Sequence, residues 1–376
     1  MKKKILFIIT YLELGGAQKQ LLSLIENLDK DKYSLYLCAG DYGYLKNKFK
    51  AITFLEAYFV PELARRISPL NDLIAFVKLY FFIRKNGFDI VHTHSPKASI
   101  LGRWAAYLAG VKSIIYTAHG WPFHDQLNPL LAKLYILLEK ITALITKKII
   151  VVSSSDLGKA LKNKVSSTDK CVIIHYGVDI KWAEQIFLKR KTSPPAINLI
   201  INISCLKPQK GLSYFLDVAE IILRKRGDAR FSIIGDGPLN EKIKQEIEKR
   251  KLKKEVALEG WKDDTAGALS RASVMVITSL WEGLPLAVIE AVISGVPVVA
   301  TDTGGVLDIL KDNNNGIILQ RKDIQSIADA TISIIDNYNS WYKKVMATRG
   351  QLDLEYWSDR RMARSTERVY REVLSL

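Results

Sequence analysis

The chain is poor in the residues that staple small folds. Among 376 residues there are three cysteines, Cys38, Cys171 and Cys205, and no two are close in sequence. That spacing excludes a disulfide scaffold and a CxxC metal or redox motif, and it points to a reducing compartment. No run approaches the roughly 18–20 uninterrupted apolar residues of a spanning helix. Lys2-Lys3-Lys4 followed by residues 5–10 imitates an export signal, but the apolar core is too short and Glu13 soon follows. The better reading is a basic start that feeds a buried strand. A G-x-G-x-x-G turn is also missing. Gly235-Asp236-Gly237 lacks the third glycine, and Gly15-Gly16 lacks the spacing altogether, which argues against a dinucleotide-dependent oxidoreductase. No recognition helix or aromatic RNA motif is present, so a nucleic-acid partner is not expected. His92, His94 and His124 have no carboxylate or cysteine cluster beside them, so no metal is expected either.

What is present is ordinary globular composition, 48% hydrophobic and 25% charged. The length suggests two domains. The formal net charge is +16, and it is unevenly spread: residues 1–190 hold 28 basic and 15 acidic side chains, the remainder 27 and 24. A half carrying most of the positive charge suits an anionic partner, or a solvated lysine-rich surface.

Residues 5–9 form a continuous apolar run, suited to a strand buried on both faces. The loop with Gly15-Gly16 and a helical pattern over 17–28 follow, which opens a βαβ unit. Strands are expected over 33–38, 89–93, 112–117 and 149–153, with helices over 71–85, 95–109 and 130–145. The charge run and proline pair over 189–198 make the best linker. The alternation then restarts, with strands over 197–203, 229–234, 274–277 and 296–300. Helices are expected over 211–224, 239–249, 285–294 and 324–335, and a charged helix over 356–374. This alternation predicts the α/β class: two doubly wound domains, each a parallel sheet covered by helices, with ligands at the carboxyl ends of the strands in the cleft between them. The expected division is 1–190, 191–355 and a terminal helix over 356–376 that packs back toward the first domain.

The segment from Ser279 to Val299 is the densest in signals. Glu282 follows a strand, Pro285 fits the first turn of a helix, and Gly295 fits its end. The unpaired N–H groups of such a helix start can hold phosphate or sugar oxygens. Glu290 sits among Val288, Ile289, Ala291, Val292 and Ile293, a costly place for a carboxylate unless it is partnered or edges a cleft. The same pattern also fits the polar stripe of a surface helix.

Glu282 and Glu290, with seven residues between them, resemble the E-x7-E motif of retaining GT-B glycosyltransferases of the large GT4-like family, of the bacterial surface-polysaccharide type. The likeness extends over nearly the whole chain, in order: Gly15-Gly16-Ala17, His92-Thr93-His94-Ser95, His119-Gly120, Tyr176 to Asp179, Leu206 to Gly211, Gly235 to Leu239, Gly260-Trp261 and Gly304-Gly305. The resemblance implies two Rossmann-like domains facing across a cleft, the first for the acceptor and the second for a nucleotide-sugar. It implies that Glu290 holds ribose hydroxyls and Glu282 the transferred sugar, with backbone N–H groups from Gly283, Leu284 and Leu286 around Pro285. Lys210 would neutralise the donor diphosphate as an electrostatic catalyst. Gly15 and Gly16 would bring backbone close to phosphate, and His119 would lie by the donor sugar. Trp261 belongs to the same binding set, and His94 is a candidate acceptor contact together with Ser95 and Lys97. One departure stands out. Ser204, Cys205 and Leu206 occupy the place where the family often carries a phosphate-binding Arg, which leaves Lys207 as a substitute. A non-catalytic nucleotide-sugar-binding protein of the same fold is the alternative reading.

The resemblance also gives the basic half a partner. The expected acceptor is a saccharide, free or carried on polyprenyl diphosphate, and the expected location is cytoplasmic, peripheral at the inner face of the cell membrane. Residues 74–85, apolar and ending in Arg84-Lys85, suit an interfacial helix beside anionic lipid or a core helix, and residues 130–148 are a second candidate. No cofactor is expected, because the nucleotide-sugar is a co-substrate.

Overall fold

In the computed structural model, which describes residues 1–64, 66–193, 195, 198–311 and 313–375, the first apolar run becomes an interior strand of a parallel sheet. The chain divides into two units, Met1–Gly177 with Asp359–Leu376, and Val178–Ser358. The first unit is built from β1 (Lys3–Ile9), α1 (Gly16–Asn27), β2 (Tyr33–Ala39), α2 (Lys46–Lys50), β3 (Leu55–Phe59), α3 (Pro69–Asn86) and β4 (Ile90–His94). It continues with α4 (Pro96–Leu108), β5 (Ser113–Ala118), α5 (Pro129–Leu144), β6 (Lys148–Val151), α6 (Ser154–Lys162) and β7 (Cys171–Ile173). Its seven strands run in the order β3-β2-β1-β4-β5-β6-β7, all parallel. Alternation along β1 sends Leu6 and Ile8 to the side of α3 and α4, and Ile5, Phe7 and Ile9 to the opposite side.

The second unit opens with α7 (Ile180–Thr192), then β8 (Leu199–Ile203), α8 (Leu212–Lys225), β9 (Arg230–Ile234), α9 (Asn240–Lys249), β10 (Val256–Gly260) and α10 (Ala266–Arg271). It ends with β11 (Val274–Ile277), α11 (Leu286–Ile293), β12 (Val298–Thr301), β13 (Gly316–Leu319), α12 (Ile324–Asp336) and α13 (Tyr338–Gly350). The strand order is β10-β9-β8-β11-β12-β13, again all parallel. The last helix, α14 (Asp359–Ser375), belongs to the first unit, where Met362, Ala363, Val369, Tyr370 and Val373 join the core that includes Leu21 and Ile25 of α1. The expected α/β class with two doubly wound parallel sheets is the one observed.

The boundary expected at residue 190 falls instead at 177/178, and the return crossing at 358/359. The reason is Arg190. It lies within the basic run, yet its guanidinium is fully buried and caps three carbonyls of the second unit: Nη1 donates to Leu269 O and Ala272 O at 2.7 Å each, and Nε to Gly295 O at 3.0 Å. Together with buried Ala183 and Ile186 it anchors α7 to the second sheet. Pro194, Ala196 and Ile197, which carry part of the expected linker and the expected first residue of the next strand, lie outside the described residues. With the observed boundaries, the first unit holds 30 basic and 16 acidic residues, the second 25 and 23.

Replacing Arg190 by Met keeps much of the volume and leaves those carbonyls unsatisfied. Arg190→Met should destabilise the second unit by about 2–4 kcal/mol. Urea unfolding followed by tryptophan fluorescence would show it, and an unchanged midpoint would contradict the anchoring role.

Candidate active site

In each sheet the strand order reverses at one point, and there the two connections leave to opposite sides and open a crevice at the carboxyl ends. In the second unit that point lies between β8 and β11. The loop after β8 tightens into a 3₁₀ turn at Pro208–Lys210 and enters α8 through Gly211, which has φ 59°. A Cβ at Gly211 would stand 2.3 Å from Thr278 O, so this left-handed position also has no room for a side chain. Three bonds tie the two loops: the Thr278 hydroxyl donates to Lys210 O at 3.2 Å and Gly211 O at 3.0 Å, and Leu280 N donates to Gln209 O at 2.7 Å.

This brings Lys210 and Glu282 together. Lys210 Nζ lies 2.5 Å from Glu282 Oε1, and the same oxygen accepts from Ser279 Oγ at 2.7 Å. Gln209 Nε2 donates to Glu282 Oε2 at 3.3 Å and to Trp281 O at 3.2 Å. Glu282 is buried, while Lys210 keeps partial exposure. A carboxylate held by three donors is fixed in orientation and retains lone pairs for further hydroxyl donors. Ser279 and Gln209 were not assigned roles from the sequence; both sit inside the motif segments, but a single polar residue in a loop carries no periodic signal.

The rest of the second-unit set lines the same edge. Gly283 and Leu284 precede α11, and Gly304-Gly305 after β12 packs on them: Glu282 pairs with Gly304 in a parallel bridge. A Cβ on Gly305 would lie 1.8 Å from Gly283 O. Pro285 is the cap residue of α11, and the helix begins at Leu286, one position later than expected. Gly295 at φ 73° ends it in the left-handed region. Glu290 lies one turn into α11 and is buried. Trp261 follows β10, its indole N–H donating to Asp263 at 3.1 Å. Gly235 N to Gly260 O and Leu206 N to Asp236 O link the loops after β8, β9 and β10 into one rim. Lys207 caps the 3₁₀ turn that carries Lys210.

In the first unit the reversal lies between β1 and β4. Ser95, at φ 63°, bridges the two strand ends, its Oγ lying 3.1 Å from Thr10 N and 2.6 Å from Thr10 Oγ1. Lys97 is ion-paired with Asp72. Both therefore have structural partners. Gly15 caps α1 and Gly16 opens it; Gly15 has an ordinary extended backbone, which any residue adopts.

His94 and His119 are brought together. His94 Nδ1 lies 2.8 Å from His119 Nε2, and His119 Nδ1 lies 2.8 Å from the hydroxyl of Tyr176. Both ring nitrogens of His119 are thus engaged, so direct contact with a sugar requires one of these bonds to rearrange. His92 shares the strand face of His94 and lies 2.7 Å from both Tyr370 OH and Thr117 Oγ1. Burial lowers all three histidines: His92 and His119 to about 3, and His94 well below the usual 6.5. For His92, proximity to His119 adds to the effect, and for His94 proximity to both. The cluster is therefore neutral at physiological pH.

Two doubly wound parallel sheets, each with a crevice at its reversal point, define a two-domain α/β architecture. Residues 14–182 match the family described as Glycosyltransferase Family 4, and residues 184–349 match Glycosyl transferases group 1. The chain is 32% identical over 333 residues to the Escherichia coli UDP-Gal:alpha-D-GlcNAc-diphosphoundecaprenol alpha-1,3-galactosyltransferase, covering 86% of each chain. Among solved structures it resembles HepE from Anabaena in complex with UDP and glucose (TM-score 0.79, 17% identity, 98% and 99% covered). It also resembles sucrose-phosphate synthase from Thermosynechococcus elongatus (TM-score 0.81, 16% identity, 100% of both chains). The chain belongs to the group 1, family 4 glycosyltransferases, with the GT-B fold. It is an enzyme that moves a sugar from a nucleotide-sugar donor to an acceptor in polysaccharide or glycoconjugate synthesis.

Two outcomes test the geometry. Gly305→Ala must push the Glu282 loop aside; a displacement near 1 Å should lower turnover at least ten-fold with the fold retained by circular dichroism. The histidines give a pH signature. The unfolded chain protonates them near 6.5, whereas burial holds His92 and His119 at about 3 and His94 well below 6.5, so their contribution is complete above about pH 6.5 and falls as pH drops below it. The melting temperature should fall steeply from pH 6.5 to 5, and less steeply in His92→Gln. Equal slopes in both proteins would contradict the assignment.

Proposed function

We propose that the chain transfers galactose from UDP-galactose, with retention of configuration, to an N-acetylhexosamine carried on polyprenyl diphosphate at a membrane surface. The observation that carries this reading is the extent of identity to the E. coli galactosyltransferase, which spans most of both chains. The solved relative with UDP and glucose supports a uridine donor.

On this reading Lys210 stabilises the negative charge that develops on the departing UDP, with Lys207 beside it in place of the Arg missing at Ser204 to Leu206. Glu282, oriented by Ser279, Gln209 and Lys210, accepts hydrogen bonds from the hydroxyls of the transferred sugar. Backbone N–H groups at Gly283, Leu284 and Leu286 add donors at the start of α11, and Glu290 takes the ribose hydroxyls. Trp261, on the same rim, contributes to the nucleotide side. From the first unit, Gly15 and Gly16 bring backbone N–H groups toward the phosphate, His119 lies by the donor sugar, and His94 is an acceptor contact. The anomeric C–O bond to phosphate breaks, the acceptor oxygen bonds to the same face, and its proton passes to the departing phosphate oxygen. A neutral His119 acts in this scheme as a hydrogen-bonding group that positions the loop and adds no charge.

The test is UDP release from a panel of UDP-, GDP- and ADP-sugars with a synthetic polyprenyl-diphosphate N-acetylglucosamine acceptor. UDP-galactose should be turned over to an α-linked product. Lys210→Met and Glu282→Ala should each reduce kcat about 10²–10³-fold, the size typical of a lost charge-stabilising group. A different preferred donor would overturn the galactose assignment, and full activity in Glu282→Ala would overturn the site.

A further inference from the structure

Tyr176 opens a segment that the sequence singles out, and it has no part in the transfer scheme. It is buried, and its hydroxyl lies 2.8 Å from His119 Nδ1. The neighbouring residue holds it there. Gln20 of α1, also buried, donates from Nε2 to Gly177 O at 2.7 Å and accepts from Gly177 N at 3.0 Å. A second bond continues the line, with His119 Nε2 2.8 Å from His94 Nδ1. Tyr176 and His94 are closed off from solvent, while His119 keeps partial exposure.

The far end of this line decides where its protons sit. His94 Nε2 is buried without a hydrogen-bond partner among the described residues. The ring borders a cavity with room for about one water, walled mainly by Leu21, Leu24, Ile150, Val152, Ile174 and Met362. The polar side chains of that wall are engaged elsewhere: Gln20 with Gly177, Thr117 Oγ1 with His92 Nε2 at 2.7 Å, and Thr366 Oγ1 with Met362 O at 3.0 Å.

Burial keeps both imidazoles neutral, so each ring carries one proton. Two arrangements satisfy both bonds of the line. In one, Tyr176 donates to His119 Nδ1, His119 Nε2–H donates to His94 Nδ1, and the proton of His94 is stranded on Nε2. In the other, His94 Nδ1–H donates to His119 Nε2, and His119 Nδ1–H donates to the Tyr176 oxygen. His94 Nε2 is then a bare lone pair. A buried N–H with no acceptor is rarer in folded proteins than an acceptor with no donor. The surroundings therefore select the second arrangement. Both histidines carry the proton on Nδ1, the minor form of a neutral histidine side chain in water.

We propose that Tyr176 is a positioning residue for His119: it takes the Nδ1 proton and so presents Nε2 as a hydrogen-bond acceptor for a hydroxyl of the transferred sugar. The inference rests on the reading of His119 as the residue beside the donor sugar. Nε2 is the atom that changes partner, because Tyr176 is clamped in the interior through Gly177 while His119 reaches the surface. When a sugar hydroxyl donates to Nε2, the Nδ1–H of His94 is released as a donor for the acceptor. Hydrogen bonds change partner in this exchange, and no covalent bond is made or broken.

The experiment is nitrogen NMR of the full chain carrying isotope-labelled histidine, at neutral pH. The five histidines give five imidazole patterns, assigned through single His→Gln variants. His94 and His119 should each show a protonated Nδ1 and a bare Nε2. Tyr176→Phe removes one oxygen and keeps the ring. Either arrangement then strands one N–H, so the ordinary preference for Nε2–H takes over and His119 should turn to that form. The same variant should raise the donor KM about three- to ten-fold with kcat little changed, the pattern of one lost ground-state hydrogen bond. An Nε2–H form of His119 in the wild type would overturn the proposal, and so would a Tyr176→Phe protein in which either the tautomer or the donor KM is unchanged. The KM is taken for whichever nucleotide-sugar the wild type turns over, so a donor other than UDP-galactose overturns that assignment and leaves this one standing.

Discussion

The site in the second unit depends on one topological constraint: β8 and β11 are neighbours, although β9 and β10 come between them in sequence. Their connections therefore diverge, and the ends of two parallel strands are left uncovered. A gap of this kind holds chemistry only if its walls are stiff. Here the stiffness comes from main chain. The Thr278 hydroxyl and Leu280 N–H reach the carbonyls of the Lys210 loop, and the left-handed Gly211 lets the two backbones close. The Lys210–Glu282 pair is the outcome of that closure. A flexible lysine would otherwise lose about 2 kcal/mol of rotamer entropy to be held in place; the preorganised carboxylate and its Ser279 and Gln209 donors offset much of that cost.

The first unit uses the same reversal differently. Its strand ends are joined through Ser95 and Thr10, and the adjacent face carries a hydrogen-bonded chain of histidines and tyrosines. Burying these imidazoles without charge is acceptable because their ring nitrogens mostly have partners. One of those partners is Tyr370 of α14, so the end of the chain supports a site formed by strands near its beginning. The terminal helix is in this sense part of the framework that holds the histidine cluster of the first unit.

Much of this was legible in the sequence where one physical rule dominates. Continuous apolar runs mark the central strands, and the Gly, Pro and Glu positions from Ser279 to Gly305 mark the loops that must turn tightly. Edge strands were harder. Residues 55–59, 171–173, 256–260 and 316–319 are short, and none of the four was distinguishable from loop. The domain boundary was misplaced because a basic run beside two prolines looks solvated; Arg190 within that run is buried for its donors, which no local pattern reveals. Glu282 and Lys210 were visible as motif members. Their partner Gln209 was not, because a contact between residues 73 positions apart follows from strand order.

Helix α5 shows where hydrophobic periodicity misleads: Glu139, Thr142 and Ala143 face inward beside the partly buried Tyr135 and Ile136, Arg103 Nη2 lies 2.6 Å from Glu139 Oε2, and Leu130, Leu134, Leu137, Ile141 and Leu144 are exposed. Five large apolar side chains on one stripe would normally mark the inner face. Each would gain about 1.5–3 kcal/mol if fully buried. A roll of the helix to bury them is opposed from two sides. It would leave Arg103 buried without Glu139, at a cost of about 3–5 kcal/mol. It would also force leucines into the narrow seam that Thr142 and Ala143 now fill against α4, and overpacking of that kind costs more again. Arg103 is further enclosed by Tyr116, whose ring lies 4.4 Å from the guanidinium. The seam between α4 and α5 therefore fixes which side of α5 faces inward, and the leucines stay outside because the ion pair cannot leave.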